Sequence, residues 1–285
     1  MKITEMSYQA TGSPCFICDF SPARSGDPAQ VSQADIEADM IAVAYNPGRA
    51  VRANSAMLAS AIKSRLGREA SFTLATRDMN KLAVESQILG AQLLGLENVI
   101  VVQGDPFSQR DLGRTKGVAD QSPTELIAGI ASLNHGLDFR ESQLRAATDF
   151  CIGATVDLGR ELEHEAALAH RKVRAGADFL ITQPIFDPAE AAAFERAYEG
   201  AAGEPMDKPV FYGLQILEQD GVLFSSVPDA VREELAQGKT GVQIALDLYQ
   251  RFADAGLRNG YLVPPIRRGG ARNYDAAREF LSGAP

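Results

Sequence analysis

The sequence predicts an α/β fold, a (β/α)8 barrel formed as one domain over residues 1–285. Eight strand-like segments alternate with helix-like segments from end to end. Three of the strands end on a polar residue: Phe16-Ile17-Cys18-Asp19, Val99-Ile100-Val101-Val102-Gln103-Gly104-Asp105 and Phe179-Leu180-Ile181-Thr182-Gln183. Apolar runs of this kind are typical of a parallel sheet buried on both faces. A helix exit also recurs, at Gly95-Leu96, Gly176-Ala177 and Gly256-Leu257, where glycine can turn left-handed and an apolar residue leads into the next strand.

Taken in order, strands are predicted over 15–20, 40–45, 71–76, 99–102, 150–155, 179–183, 210–217 and 260–263. Helices are predicted over 31–39, 55–66, 80–94, 122–134, 161–175 and 188–197. A split pair, 229–237 and 242–255, precedes the last strand, and a closing helix runs from about 273 to 281. Ser122 before Pro123 reads as a cap with proline at the first helical position, and Asn54 and Asp78 can cap the helices they precede. In 242–255, Ile244, Leu248 and Phe252 recur every four residues with Ala245 and Tyr249 beside them, one apolar face for packing on a sheet.

The chain has 285 residues, 45% of them apolar, with glycine and proline spread evenly and no linker. A net charge of −9, without basic clusters interleaved with aromatics, argues against nucleic acid or an anionic membrane as partner. The first residues, 1–12, form no apolar leader and no run is long enough to span a bilayer, so a cytoplasmic protein is expected. Cys15, Cys18 and Cys151 fit a reducing compartment. Although Cys15 and Cys18 have redox-motif spacing, residues three apart on a strand face opposite ways, so both are expected to be buried hydrophobes.

The familiar nucleotide loops are missing, as is the G-x-S-x-G elbow of hydrolases. His135, His164 and His170 lack metal-site spacing, and no metal is expected. What the fold gathers at the carboxyl ends of its strands is Asp19, Tyr45-Asn46, Thr76-Arg77-Asp78, Gln103-Gly104-Asp105, Thr155 with Asp157, Gln183, Gln215 and Arg267-Arg268. Burying a polar group without a partner costs about 1–3 kcal/mol, so stability gives no reason to collect carboxylates and amides there. A ligand does. Such a set supplies donors and acceptors to the edge of a pterin, flavin or purine, and a carboxylate in a dry barrel mouth can work as an acid.

Three stretches carry a family resemblance: Phe16 to Arg24, Val101-Val102-Gln103-Gly104-Asp105-Pro106, and Arg171 to Asp187 with its Gly176-Ala177 exit and Thr182-Gln183. Together they resemble methylenetetrahydrofolate reductase. The resemblance implies a barrel in which NAD(P)H passes hydride to FAD, and FAD to 5,10-methylenetetrahydrofolate, giving the 5-methyl form. Reversal as a methyl-folate oxidase and a flavin-free direct transfer are variants of the same reading.

On this resemblance Asp19 matches the acid and Asp105 the carboxylate beside pterin and flavin. Gln183, with Gln215 and either Arg267 or Arg268, faces folate. Tyr45, Thr73, Thr76, Gln103, Gly104, Asp105, Thr155, Glu165 and Lys172 match flavin-binding positions, the last two one helix face apart at the ribityl and phosphate region. The chain departs from the family where Asp19 replaces glutamate, where Gln103 replaces arginine, and where 157–161 replaces a longer Tyr-Pro-Glu-x-His run. The partners expected are NAD(P)H, a folate, and further copies of the chain in a homo-oligomer. A methyl-transfer barrel without redox chemistry and a non-enzymatic pterin or flavin binder are the alternative readings; Val222-Leu223-Phe224 offers an aromatic that could stack on nicotinamide.

Overall fold

The computed structural model describes residues 1–118, 120–223, 225–267 and 270–284. Two single-turn helices, α1 (Ile3–Met6) and α2 (Tyr8–Thr11), come first. There follow β1 (Cys15–Phe20), β2 (Met40–Val43), α3 (Ser55–Leu66), β3 (Ala70–Ala75), α4 (Lys81–Leu93), β4 (Asn98–Val102), a single turn α5 (Gln109–Leu112) and α6 (Pro123–Asn134). The second half holds β5 (Cys151–Val156), α7 (Leu162–Arg174), β6 (Phe179–Pro184), α8 (Pro188–Ala202), β7 (Val210–Gln215), α9 (Asp229–Ala236), α10 (Gly241–Asp254), β8 (Asn259–Val263) and α11 (Tyr274–Gly283). The strands pair in chain order and in parallel, and β8 pairs with β1, so the sheet closes into the barrel that the alternation predicts.

Period-two alternation divides each strand between two cores. Ile17, Met40, Ile100, Phe179 and Phe211 fill the barrel interior. Phe16, Ile41, Phe72, Leu180 and Leu262 face the helices. Cys15 belongs to the inner set and Cys18 to the outer, as expected from their spacing, and all three cysteines are buried free thiols. Burial pushes the Cys151 thiol up to about 12. On α10, Ile244, Leu248 and Phe252 are all buried, with Ala245 and Tyr249.

The amino-terminal turns close the bottom of the barrel. Ile3 is fully buried in the inner core, its amide donating to Asn98 Oδ1 at 2.9 Å. The Tyr8 amide likewise donates to Asn259 Oδ1 at 2.7 Å. Nothing in the polar, unpatterned residues 1–12 announces this, since the apolar surface they cover exists only after closure.

Helix caps follow the sequence in most places. Ser122 closes a capping box with Glu125, and Asn54 accepts from Ala56 and Met57. The three glycine exits have φ of +77°, +115° and +85°, and in each the following amide reaches back five residues to a helix carbonyl. Asp78 does not cap α4; Asn80 does, because Asp78 is engaged by Arg77. The helix expected over 31–39 is instead a 3-10 segment over Pro28–Ala34 followed by irregular chain. Asp39 Oδ2 accepts the Phe16 amide at 2.7 Å, which ties that chain to β1 rather than to a helix ladder. The strand expected over 40–45 stops at Val43, because Asn46 turns left-handed at φ 40°. No described helix is long and apolar enough to cross a membrane.

Packing between β5 and β6 gives a direct test. A Cβ on Gly153 would lie 2.4 Å from the Phe179 ring. Gly153→Ala is expected to lower stability by about 1–3 kcal/mol in urea unfolding, with Phe179→Leu restoring part of the loss. Unchanged stability in the single variant would show that the ring is not seated against β5.

Candidate active site

The alternation that fills the inner core also fixes which residues face the barrel mouth. Continuing Cys15 and Ile17 by two gives Asp19; the same count gives Thr73 on β3, Thr155 on β5, Gln183 on β6, Gln215 on β7 and Tyr261 on β8.

Asp19 is the most constrained of them. Its Oδ1 accepts the Tyr261 hydroxyl at 3.0 Å, and its Oδ2 lies 2.8 Å from Nη2 of Arg272. The ion pair is nearly sealed, with the Arg272 side chain 5% and the Asp19 side chain 8% exposed. Burial, reinforced by Asp19, pushes the Tyr261 phenol well above its ordinary value, so it keeps its proton and donates. Arg272 stands in the irregular segment between β8 and α11, which is pinned by an antiparallel bridge between Ile266 and Arg272 and by Tyr274, whose hydroxyl accepts the Ser21 amide at 3.0 Å. A buried ion pair of this kind contributes little net stability but fixes geometry, because removing one partner strands the other.

Across the mouth, Gln183 is half-buried and makes no side-chain hydrogen bond among the described residues, which leaves its amide available. It lies at the irregularity in pairing between Ile181 and Pro184, where Gly213 approaches the Gln183 carbonyl so closely that a Cβ would fall 2.7 Å from it. Gln215 is buried and donates from Nε2 to the Val222 carbonyl at 2.8 Å, anchoring the chain after β7.

The β2–β4 side of the rim is built around Arg77. Its guanidinium grips Asp78 at 2.6 and 2.7 Å, donates to the Asp105 carbonyl at 2.8 Å and lies 4.6 Å over the Phe107 ring. Tyr45 lies beside Asp78, and burial first, then that carboxylate, raises its phenol to about 12. Thr76 Oγ1 donates to the Gln103 carbonyl at 3.3 Å. Gly104 needs its φ of +80°, and a Cβ there would lie 3.0 Å from that of Ala75. Asp105 and Gln103 stand exposed on the rim rather than inside the mouth.

Glu165 and Lys172 are brought elsewhere. Both are buried on α7, at 4% and 7% exposure. Lys172 Nζ donates to the Thr155 carbonyl at 2.6 Å, and Glu165 Oε2 accepts the Asp157 amide at 3.3 Å. Burial lowers the Lys172 ammonium despite the opposing pull of Glu165. The pair braces β5 and the chain after it from the helix side of the wall. In this arrangement neither group presents itself to a phosphate, so the pair does not fit the ribityl and phosphate region of a flavin. Arg267 is exposed and bonded to Glu218 at 3.1 Å, outside the mouth. Arg268 and Phe224 lie outside the described residues.

Arg272, Tyr261 and the Arg77–Asp78 grip are what sequence reasoning missed. Tyr261 left a signal, as a polar-tipped residue at an inward position between outward Gly260 and Leu262. Arg272 left none: it follows an irregular loop, where no periodicity assigns a direction. A cavity of about 400 Å³ lined by Gln9, Glu195, Lys208, Tyr212 and Arg258 opens at the amino-terminal end of the barrel, away from these groups. The mouth remains the candidate site, because barrels of this architecture build their chemistry at the carboxyl ends of the strands.

The family model described as methylenetetrahydrofolate reductase matches residues 28–220. No curated protein sequence gives a significant match. Among solved structures, an uncharacterized protein from Clostridium thermocellum that binds two copies of 5-methyl-5,6,7,8-tetrahydrofolic acid aligns with a TM-score of 0.65 at 9% identity, over 97% of each chain. A protein from Burkholderia cenocepacia J2315, provisionally named a lyase/mutase, aligns with a TM-score of 0.50 at 17% identity, over 98% of this chain and 84% of the other. At these identities the two likenesses speak to the fold.

The sealed ion pair sets an expectation for stability. Arg272→Met, which strands Asp19, should cost about 3–5 kcal/mol in denaturant unfolding. Asp19→Asn combined with Arg272→Met should cost much less. Additive losses in the double variant would mean that the two side chains are not coupled.

Proposed function

Because the chain belongs to the methylenetetrahydrofolate reductase family, we propose that it is a folate-metabolising enzyme whose barrel mouth binds a reduced folate and interconverts its 5,10-methylene and 5-methyl forms. The observation that carries this reading is the pairing of the sealed Asp19 carboxylate with the available Gln183 amide on inward positions of the same barrel. A carboxamide offers one acceptor and two donors, which suits the amide-like edge of a pterin. The Clostridium thermocellum protein, with the same fold and 5-methyltetrahydrofolic acid bound, supports the substrate class.

The difficult step is opening the folate's five-membered ring. In the reductive direction N10 takes a proton, the bond from N10 to the one-carbon unit breaks, and a 5-iminium cation forms. Hydride then adds to that carbon and gives the methyl group. A fixed negative charge near the cation favours this step. Asp19 supplies it, and Arg272 and Tyr261 hold the carboxylate in place. Asp19 Oδ1 accepts the Tyr261 hydroxyl and Oδ2 lies against the Arg272 guanidinium, so handing a proton to N10 as an acid requires that it first collect one, from water or on release from Tyr261.

FAD, where this family uses it, relays hydride from NAD(P)H. Glu165 and Lys172 are engaged inside the wall, and Gln103 stands where the family resemblance expects a cation. We therefore route no step through flavin and assign the hydride directly to NAD(P)H. A methyl-transfer reading that uses the 5-methyl form without redox chemistry is favoured by the same engaged pair.

Titration with 5-methyltetrahydrofolate and an assay for nicotinamide turnover test the proposal together. Folate binding with nicotinamide-dependent interconversion is expected, and Asp19→Asn should cut turnover by about 10²–10³-fold while still binding folate. Full turnover in Asp19→Asn would remove the carboxylate from the chemistry. A yellow protein bleached by NADH or NADPH would restore the flavin relay, and folate binding without any nicotinamide consumption would move the assignment to methyl transfer.

A further inference from the structure

The segments following β1, β2 and β8 converge on one side of the mouth and bring Arg24, Arg52 and Arg272 into one neighbourhood. Arg52 Nη1 donates to the Pro22 carbonyl at 2.8 Å, and the neighbouring Ala53 amide donates to the Ala23 carbonyl at 3.1 Å. These bonds hold the chain carrying Arg24 and the chain carrying Arg52 side by side. Nη2 of Arg52 lies 3.0 Å from where a side chain on Gly270 would begin. Two residues beyond Gly270, Arg272 reaches down to Asp19.

Burial first, then the nearby charges of Arg24 and Arg272, lowers the Arg52 guanidinium below the usual range. Asp19 pairs with Arg272 at the base of the cluster. Arg24 is exposed and makes no ion pair among the described residues, and Nε of Arg52 is buried without a hydrogen-bond partner. The chain as a whole carries a net charge of −9, so cations gathered this way are not a by-product of a basic composition. Like charges held together in a half-buried rim repel, and an anion seated among them relieves the repulsion.

The geometry points to an anion subsite formed by Arg24 and Arg52, flanked by Arg272, which takes the carboxylates of the glutamyl tail of a folate. This rests on the folate reading above, which puts the pterin beside Asp19 and leaves the tail to leave the mouth along this rim. Guanidinium groups pair with carboxylates and phosphates through the same two-pronged hydrogen bonding, so the diphosphate of a dinucleotide is the other source of the same chemistry.

The test measures binding of 5-methyltetrahydrofolate with one and with three glutamates, of tail-free tetrahydropteroate, and of inorganic pyrophosphate. Wild type is expected to bind the triglutamate about tenfold more tightly than the tail-free pterin. Arg24→Gln and Arg52→Gln should erase most of that advantage and leave tail-free binding unchanged, while Arg52→Lys, which keeps the charge, retains part of it. Arg24 is exposed, so its variant keeps the test decisive if Arg52→Gln unfolds on losing Pro22. A tail length without effect, combined with pyrophosphate binding that Arg24→Gln abolishes, would overturn the glutamyl assignment in favour of a diphosphate. Unchanged binding of all four probes in both variants would overturn the subsite. If wild type binds no pterin at all, the folate reading fails by itself, and the pyrophosphate measurement still decides whether the rim holds anions.

Discussion

Closure of the sheet between β1 and β8 brings together residues that are remote in the chain, and the proposed site depends on it. Asp19 and Tyr261 are 242 positions apart, yet pairing of Ile17 with Tyr261 sets them on adjacent strands with the hydroxyl 3.0 Å from the carboxylate. The same closure brings Arg272, beyond β8, within reach of Asp19 to complete the contact. Were the sheet open, β1 and β8 would be edges, and neither the carboxylate nor the guanidinium would have a reason to be buried.

Two sets of buried charges are held in different ways. Asp19 and Arg272 lie on the axis side of the barrel, with Tyr261 as a third partner, so that each charge meets another side chain. Glu165 and Lys172 are as deeply buried, but each ends on a backbone group of the β5 region, and the cost of removing them from water is offset by bonds that hold the wall together. Spacing on one helix face does not distinguish the two arrangements. The direction in which each side chain finds its partner does.

Much of the architecture was legible because it is local. Strand alternation, the glycine exits and most caps depend on residues within one or two turns, and the observed strands follow the predicted ones to within a few residues. Where prediction and structure part, a partner outside the helical pattern is responsible: Asp39 is drawn to the remote Phe16 amide and Asp78 to the adjacent Arg77, and each abandons a helical role that its neighbours would have supported. The inward positions of Asp19, Gln183 and Gln215 follow from parity alone. The exposed stations of Gln103 and Asp105, the outward turn of Arg267 onto Glu218 and the Arg24–Arg52 rim do not.

The sequence by itself determined an eight-unit barrel, which strand residues face its axis, and a family resemblance that the family model bears out over 28–220. Those properties are carried by period, punctuation and motif, all of which are short-range. Only the tertiary structure decided that Arg272 pairs with Asp19, that Lys172 is spent within the wall, and that arginines from separate loops share one rim. Long flexible side chains on irregular segments take their direction from charge and burial, and both of these exist only once the barrel has closed.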